Sequence, residues 1–405
     1  MKPHFCVSTL LCLTLPALLP VLMAAPSPAA GQAQAQPVAQ AQPVTQAQPV
    51  TEIGGEKIVT LTRAAISTTR PEFTSITILP GRGMQVLQIT ANLPGKGTID
   101  VLHSPDLAAA AQTLDQRDDA IGDMSYHFGA PLLIPYPNRV RGTLSADGKT
   151  ITTAWQGHTL VLPANNGSRR PGSERTAIHG LVTKIKTDDI RISKTPGGEQ
   201  VTGVIHAGDF YGYWLSKTDL VVTITLTAES VDASIVAHNV GSETEPIGIA
   251  WHPYFNLPSG DRAQARVRVP ADLLTEVDNY DNTFPTGKLL PVDGTRFDLR
   301  APGGVALADN FFDNNWSHLD WKGGAATVQI IDPAAHYGLD IEGLSPRIKT
   351  IQIYSPVKAQ FVAVEHQYNF ADPFGKEWDS KDNGMVILKP GQSTTWRVRV
   401  HVFTP

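Results

Sequence analysis

The strongest constraint on the fold is a recurring pattern of short stretches in which every second residue is apolar. Eleven such stretches, rich in Val, Ile and Thr, follow residue 52, among them KIVTLTR, LVVTITLTA, ASIVAHNV, FVAVEH and TWRVRVHVF. Alternation with a period of two, β-branched residues and flanking turn signals such as LPGKG and SADGKT are typical of β-strands. Residues 103–119, with the run AAAAQ, are the one segment that indicates a helix.

This pattern predicts an all-β fold, a large antiparallel β-sandwich, because many short strands on a long chain bury their apolar faces by stacking as two sheets. No linker interrupts residues 52–405, so we expect them to form one domain, although their length would also permit two. Roughly 350 residues are sufficient for a large core without disulfides.

The first 51 residues differ in composition from the rest of the chain. Residues 1–25 combine a short basic start with an apolar run and end in Ala24 and Ala25, as secretory signal peptides do. Residues 26–51 repeat QAQPV three times at a six-residue period without any charge, which predicts an extended linker. Cys6 and Cys12 both lie in the signal segment. We therefore expect a periplasmic or secreted bacterial protein whose mature form contains no disulfide.

Charge and motif content argue against several classes of function. The net charge is −5 and the Lys and Arg residues are scattered, whereas nucleic-acid-binding proteins show a basic stripe. After the signal segment no apolar run is long enough to span a bilayer. The sequence also has no Gly-rich phosphate loop, no HExxH, no tight cluster of metal ligands and no Gly-x-Ser-x-Gly. We therefore expect no nucleic-acid partner, no membrane contact after signal cleavage and no metal.

The informative positions are those where polar side chains interrupt apolar surroundings, because buried polar groups need partners. Five motifs contain them: Asn138 and Arg139 in PNRVRG, His179 in AIHG, His252 in WHPYFNL, Asp309 and Asp313 in LADNFFDNNW, and Glu365 in FVAVEH. Taken alone, each is more often structural than functional, and an isolated histidine beside aromatic residues is typically bonded to a backbone carbonyl. Gly180, which follows the histidine of AIHG, lets another group approach closely.

Together these residues supply a coherent chemistry. They include a carboxylate base, an imidazole acid, a guanidinium fork, a second histidine and aromatic side chains. Sugars offer hydroxyls to polar groups and C–H faces to aromatic rings. The combination indicates a sugar enzyme that needs neither a cofactor nor a metal.

The same motifs resemble those of a known family. PNRVRG, AIHG, WHPYFNL, the aspartate of LADNFF and the glutamate of FVAVEHQ occur in the order found in the aldose 1-epimerases, or galactose mutarotases. The resemblance extends from about residue 129 to near the C-terminus, and WHPYFNL is its most specific part. It implies a galactose mutarotase-like supersandwich with the sugar site in a shallow cleft.

The resemblance also implies roles for individual residues. Glu365 would be the general base at the anomeric hydroxyl, and His252 the general acid at the ring oxygen. The sugar hydroxyls would be positioned by Arg139, His179, Asp309 and Asn138. Asp313 is a rival for the place of Asp309, because the sequence reads Asp-Asn where the family has Asp-His. The substrate would be a monosaccharide or the end of a sugar chain.

The reference pKa values of the two catalytic candidates lead to a further expectation. A glutamate at about 4.3 and a histidine at about 6.5 coexist as carboxylate and imidazolium between these values. Burial of Glu365, or attraction within the pair, is expected to move this window towards neutral pH. The neighbouring His366 is expected on the opposite face of its strand, and residues 106–123 are expected to form an insertion near the cleft.

Three alternatives remain open from the sequence. A carbohydrate-binding β-sandwich without catalysis would keep the pocket and need neither Glu365 nor His252. An epimerase of a sugar phosphate or another sugar would need further cations, for which Arg141 and Arg175 are candidates. A glycoside hydrolase or lyase would need a second catalytic carboxylate. Neither the preferred sugar nor the oligomeric state follows from the sequence.

Overall fold

The structure, a computed structural model, describes residues 49–116, 119, 121–167, 173–379 and 381–405. These residues belong to one compact unit, Pro49–Pro405. The expected signal peptide (1–25) and nearly all of the expected linker (26–51) lie outside the described residues. The first strand begins at Glu52.

Thirty strands run through the described residues. The first ten are β1 (Glu52–Ile53), β2 (Glu56–Lys57), β3 (Val59–Thr62), β4 (Glu72–Leu79), β5 (Gln85–Leu93), β6 (Gly97–Asp100), β7 (Leu132–Leu133), β8 (Arg139–Val140), β9 (Thr143–Leu144) and β10 (Thr150–Trp155). The next ten are β11 (His158–Pro163), β12 (Ala177–Ile178), β13 (Asp188–Thr195), β14 (Gly198–Gly208), β15 (Thr218–Leu226), β16 (Ser230–Asn239), β17 (Glu245–Ile247), β18 (Ala250–Trp251), β19 (Tyr254–Asn256) and β20 (Arg266–Arg268). The last ten are β21 (Ala271–Val277), β22 (Pro285–Pro291), β23 (Val305–Ala306), β24 (Phe312–Leu319), β25 (Ala326–Asp332), β26 (Tyr337–Gly343), β27 (Thr350–Ser355), β28 (Phe361–Gln367), β29 (Val386–Leu388) and β30 (Ser393–Phe403).

Helical structure in the described residues is limited to one α-helix and four short 3-10 turns. The helix α1 (Leu107–Leu114) begins after Asp106, whose carboxylate accepts a hydrogen bond from the backbone N–H of Ala109 at 2.8 Å. It lies within the segment for which a helix was expected. The 3-10 turns are Pro80–Arg82, Asp123–His127, Pro333–Ala335 and Lys376–Trp378. No helix of the described residues has the length and apolar character needed to cross a membrane.

Two large antiparallel sheets contain half of the thirty described strands. One has nine strands in the order β13-β14-β15-β16-β30-β26-β25-β20-β23, and the other has six in the order β19-β28-β27-β24-β21-β22. A four-stranded sheet (β3-β4-β5-β6), a three-stranded sheet (β11-β10-β9) and the pairs β1-β2, β12-β8, β17-β29 and β18-β7 complete the described strands. The predicted all-β, antiparallel sandwich is confirmed.

The packing of the two large sheets is visible at β28. Val362 and Val364 point into the shared core, and so does His366, whose Nε2 lies 3.0 Å from the carbonyl oxygen of Ala326 in β25. The indole N–H of Trp396 in β30 donates to the backbone carbonyl of His366 at 3.0 Å. His366 therefore faces the nine-stranded sheet, on the side of β28 opposite to Glu365, as expected.

The other face of β28 contributes to a polar row across the six-stranded sheet. Glu365 is paired with Gln352 on β27, and Gln352 is paired with Asn315 on β24. Because side chains alternate along a strand, Asp313 lies on the same face of β24 as Asn315, and Gln367 lies on the same face of β28 as Glu365. The polar residues thus collect on one face, which forms the floor of a cleft.

Among the described residues of the segment 106–123, those at the C-terminal end approach this cleft. Ala110 and Leu114 of α1 pack into a small apolar cluster with Ile53 and Leu79, away from the polar row. Asp123, at the start of the following 3-10 turn, lines the cleft.

Candidate active site

A cavity of about 450 Å³ opens above the polar row. Its lining includes five of the six predicted site residues: Asn138, Arg139, His179, His252 and Glu365. Aromatic rings line the same space: Tyr126, Tyr254, Tyr280, Phe311 and Tyr354. The volume is within the range of small-molecule sites, about 300–1,000 Å³. The mixture of ring faces and hydrogen-bonding groups suits a polyhydroxylated ring.

His252 and Glu365 form a close, buried pair at the floor of the cavity. His252 Nε2 lies 3.1 Å from Glu365 Oε1, and the two side chains are 4% and 1% exposed. Gln367 Nε2 donates to the second carboxyl oxygen, Oε2, at 2.8 Å. One oxygen of Glu365 therefore faces a titratable ring, and the other faces a neutral amide donor.

The WHPYFNL segment places His252 by alternating between core and cleft. Trp251 and Phe255 are buried in the core, whereas His252 and Tyr254 line the cavity. The backbone N–H of His252 donates to the carbonyl oxygen of Pro131 at 3.0 Å, and its ring stacks on Tyr254 with centroids 4.4 Å apart. Its Nε2 therefore meets a carboxyl group, and not the backbone carbonyl that the structural interpretation expected.

Burial sets the protonation state of this pair. Burial is the main cause that raises the pKa of Glu365 to about 8, and the nearby charge of Asp313 adds to the rise. Burial also lowers the pKa of His252 to about 3. The expected rise of the Glu365 pKa is confirmed. The expected coexistence of carboxylate and imidazolium is wrong for the free protein, because burial disfavours both charges and leaves an uncharged pair with one shared proton.

A second polar group of the cavity is built around Asp313. Arg139 Nη2 donates to Asp313 Oδ2 at 3.1 Å, and Gln352 Nε2 donates to Asp313 Oδ1 at 2.8 Å. Arg139 Nη1 also donates to Asn138 Oδ1 at 3.2 Å. Arg139 and Asp313 keep 18% and 13% of their side chains exposed, so both remain accessible from the cavity.

The structure places Asp313, and not Asp309, in the cavity. Asp309 is exposed in the turn before β24 and is absent from the cavity lining. Buried Leu307 and Phe312 anchor the two ends of this turn, and Asp309 is its exposed residue. Asp313 is the first residue of β24 that points to the cleft. The assignment of Asp309 to this place is therefore wrong, and its rival Asp313 occupies it.

His179 is brought to the cavity by a strand pair that joins two of the sequence motifs. Arg139 in β8 lies opposite Ile178 in β12, and the backbone N–H of His179 donates to the carbonyl oxygen of Asn138 at 3.0 Å. The turn that follows depends on Gly180, which has a φ of +77°. A Cβ there would lie 2.3 Å from the carbonyl oxygen of Ile134, so the close approach expected at this glycine is confirmed.

The imidazole of His179 lines the cavity. Its ring lies edge-on to His252, with centroids 5.2 Å apart. Burial, followed by the charges of His252 and Arg139, holds its pKa well below the usual value, so the ring is neutral. In the part of the chain that the structure describes, the buried Nδ1 of His179 has no hydrogen-bond partner.

Several residues of the site were missed by the sequence analysis. Gln367 follows Glu365 by two positions, so strand alternation alone could have placed both on the same face. Gln352 and Asn315 become neighbours of Glu365 only through the register of β24, β27 and β28, which no local pattern reveals. Among the described residues no group of three or more His, Cys, Asp or Glu side chains is placed to hold a metal ion.

Known structures share this fold. A galactose mutarotase-like protein from Clostridium acetobutylicum superposes with a TM-score of 0.65 at 18% identity, over 86% of this chain and 98% of that one. A second structure, of a homologue of aldose epimerases from C. elegans, gives a TM-score of 0.62 at 17% identity, over 85% and 98% of the two chains. At these identities the likeness shows the fold alone.

Sequence comparison shows the family. The galactose mutarotase of Sus scrofa is 29% identical over 289 residues, which cover 64% of this chain and 75% of that protein. Residues 97–401 match the family model described as aldose 1-epimerase. The chain therefore belongs to the aldose 1-epimerase family and is an isomerase of the mutarotase type.

Proposed function

We propose that the protein interconverts the α and β anomers of a free aldose of the glucose or galactose type by general acid–base ring opening and closure. The observation that carries the proposal is the buried contact between His252 Nε2 and Glu365 Oε1 at 3.1 Å. It brings one acid and one base to the same point of a cavity lined for a sugar. Family membership and the relatives named galactose mutarotase support the same activity.

The reaction requires two proton transfers that balance. As a carboxylate, Glu365 removes the proton from the anomeric hydroxyl O1, while an imidazolium at His252 donates a proton to the ring oxygen O5. The O5–C1 bond breaks and the C1=O double bond forms. Rotation about C1–C2 and the reverse transfers on the other carbonyl face give the opposite anomer, with no net gain or loss of protons.

Burial favours the proton arrangement of the open-chain intermediate. After ring opening, the pair consists of a carboxylic acid at Glu365 and a neutral imidazole at His252, which is the uncharged state that burial stabilises. The edge of the sugar that bears O1 and O5 takes the place of the direct contact between the two side chains. Each of the two groups is expected to contribute about 10²–10⁴-fold to the rate.

The remaining polar groups suit a neutral sugar. Arg139, Asp313, His179 and Asn138 present donors and acceptors to sugar hydroxyls. Arg139 is the only Arg or Lys among the described residues of the lining, which also contains four carboxyl groups: Asp123, Asp281, Asp313 and Glu365. This balance disfavours a phosphorylated substrate.

The two cations considered for phosphate recognition are engaged elsewhere. Arg141 donates to Glu174 at 2.9 Å and to Asp278 at 3.2 Å, and Arg175 donates to the carbonyl oxygen of Ala164. Neither of them lines the cavity.

The rate of exchange between the two anomers at equilibrium tests the proposal. NMR magnetisation transfer between the α and β anomeric proton signals of glucose and of galactose is expected to become faster in proportion to the protein concentration. A reducing disaccharide, measured in parallel, shows whether the end of a sugar chain is accepted. If the sugar signals broaden through binding while the exchange rate stays at its spontaneous value, the protein is a binding module and the proposal is wrong.

We also propose export, on the basis of the signal-like residues 1–25. The full chain, expressed in a Gram-negative host, is expected in the periplasmic fraction with a mass reduced by the leader. A full-length chain confined to the cytoplasm would contradict this.

A further inference from the structure

A chain of buried amides lies directly beneath the floor of the cleft. Gln367, Asn315 and Gln352 are 0%, 4% and 4% exposed, and they belong to β28, β24 and β27. Gln367 and Asn315 are absent from the cavity lining, so they support the site without facing the space for a ligand. Buried amides are costly unless each polar atom finds a partner, which makes their connections informative.

The carboxyl groups at the two ends fix the direction of the two glutamines. Gln367 Nε2 lies 2.8 Å from Glu365 Oε2, and Gln352 Nε2 lies 2.8 Å from Asp313 Oδ1. The Asp313 carboxylate, which also accepts from Arg139, only accepts hydrogen bonds, so Gln352 turns its NH₂ group outwards to it. Gln367 likewise turns its NH₂ group outwards and donates to Glu365 Oε2. Both Oε1 atoms therefore point inwards and require donors.

Asn315 supplies those donors as a fork. Its Nδ2 lies 3.1 Å from Gln352 Oε1 and, at a longer 3.5 Å, from Gln367 Oε1. The two acceptors, Gln352 Oε1 and Gln367 Oε1, keep the NH₂ group of Asn315 turned towards the glutamines, and its Oδ1 lies against the hydroxyl of Thr350. A single amide thus connects the side of the cleft that holds Glu365 with the side that holds Asp313.

We propose that Asn315 and Gln367 are positioning residues for the Glu365 carboxylate, which they hold through this amide fork. Gln367 gives Oε2 a fixed donor and leaves Oε1 free for His252 and the anomeric hydroxyl. Asn315 acts one step further away, because it orients the amide of Gln367. The inference rests on the proposed function, in which Glu365 must be ionised to remove the proton from O1.

The fork favours the ionised form of Glu365, whereas other groups around this carboxyl oppose it. The titratable and charged groups facing this carboxyl are His252 from the β18–β19 turn, Tyr254 from β19, Asp313 from β24 and Arg139 from β8. The charge of Asp313 opposes ionisation, whereas Arg139 and the Gln367 amide favour it. Removal of the amide should therefore raise the pKa of Glu365 and reduce the population of its carboxylate.

Replacement of Gln367 by a side chain of similar length without an amide tests this directly. In Gln367→Met, kcat is expected to fall about 10- to 100-fold with KM within about threefold of wild type, because a hydrogen bond to a charged group is lost. The alkaline limb of kcat/KM, where the pair loses its last proton, should move upwards by about one pH unit. A purely structural role would lower activity without moving the limb. Gln367→Asn, whose shorter amide falls short of Oε2, is the milder variant if Gln367→Met fails to fold.

The contribution of Asn315 is tested by a double-mutant cycle. Asn315→Leu alone is expected to shift the limb in the same direction as Gln367→Met, by a smaller amount. Because Asn315 acts through Gln367, the double variant should show no larger shift than Gln367→Met alone. Additive shifts would show that Asn315 acts on Glu365 by another route, which would contradict the fork.

A control and an activity-independent readout complete the test. Gln329 donates to Asp340 at 2.8 Å on the nine-stranded sheet, away from the cavity, so Gln329→Met loses the same type of bond and should leave the limb unchanged.

Titration of the Glu365 carboxyl by ¹³C NMR, assigned with Glu365→Gln, measures its pKa without turnover. An equal midpoint in wild type and Gln367→Met overturns the fork even if the protein is a mutarotase. A wild-type protein that accelerates no sugar overturns the proposed function, whatever the NMR midpoint shows.

Discussion

The His252–Glu365 pair holds one exchangeable proton between two side chains that burial keeps uncharged. Such a pair titrates as a unit, and its useful form is the one that carries a single proton. The protein gains a second proton only at strongly acidic pH, near the lowered pKa of His252, about 3, and loses its last proton near the raised pKa of Glu365, about 8.

A pH profile of activity follows from this. After subtraction of the spontaneous rate at each pH, kcat/KM should be flat through the acidic range and fall above about pH 8, where Glu365 loses the shared proton. The measurement is the initial rate of anomer exchange in matched buffers of constant ionic strength. A bell confined between about pH 4.3 and about pH 6.5, the reference values of the two side chains, would contradict the shared-proton description.

The two rival aspartates give a matched comparison. Asp313→Asn should lower kcat/KM about 10- to 100-fold, mostly through a higher KM, because the charge that holds Arg139 and meets the sugar is lost. Asp309→Asn should stay within about twofold of wild type, since Asp309 is exposed outside the cavity. Steady-state kinetics with galactose measure both variants. Equal losses in the two would refute the placement of Asp313 as the sugar-binding aspartate.

Among the structural elements, strand β12 and the turn that follows it at His179 and Gly180 show how backbone geometry positions a side chain. His179 and Gly180 both have positive φ, +64° and +77°. The turn passes so close to Ile134 that only glycine fits at position 180. The orientation of the His179 ring therefore depends on the absence of a side chain at the next position.

Alanine substitutions at two glycines separate the effect of the steric clash at position 180 from the strain of a positive φ. Gly180→Ala should destabilise the protein by about 2 kcal/mol or more and raise KM, because the turn must move and displaces His179. Gly391 has a φ of +78° with no atom within 4 Å of the Cβ position, so Gly391→Ala carries the strain alone and should leave KM unchanged. Urea unfolding and galactose kinetics measure the two effects. An unchanged KM in Gly180→Ala would show that the turn does not set the ring of His179.

Strand alternation also explains what the sequence could predict. It was sufficient to predict the all-β sandwich and to place His366 opposite Glu365, because both depend on neighbours along one strand. It was not sufficient to select Asp313 over Asp309, since this choice depends on where a turn ends and β24 begins. The amide fork was also beyond reach, because Asn315, Gln352 and Glu365 become neighbours only through long-range register.

For the whole molecule, buried acids make stability depend on pH. Glu245 is fully buried, with the hydroxyl of Thr218 as its hydrogen-bond donor at 2.9 Å, and burial raises its pKa to about 7. The native state therefore keeps the proton of Glu245 at pH values where the unfolded chain has released it. This contribution to stability is present below the unfolded pKa and is lost as pH rises through about 7.

Replacement of Glu245 by glutamine should remove this dependence. The free energy of unfolding of Glu245→Gln, relative to wild type, is expected to be nearly unchanged at pH 4 and higher by about 1–3 kcal/mol at pH 8. Urea unfolding at the two pH values measures the difference. Glu72, paired with Arg63 at 3.1 Å, serves as a control of opposite sign, because its pKa is lowered despite its burial. If the free energies of unfolding of Glu245→Gln and wild type differed by the same amount at both pH values, the proton of Glu245 would not be the source of the pH dependence.

Polarimetry on freshly dissolved α-D-galactose and α-D-glucose tests whether the His252–Glu365 pair is the catalytic centre. It compares the mature protein with two variants, Glu365→Gln and His252→Asn. Both variants should keep the circular dichroism spectrum of wild type. Wild type should speed the decay of optical rotation, and each variant should lose at least about 100-fold of that acceleration, because each has lost one partner of the proton exchange. A folded Glu365→Gln that retains the wild-type rate would show that the His252–Glu365 pair is not the catalytic centre.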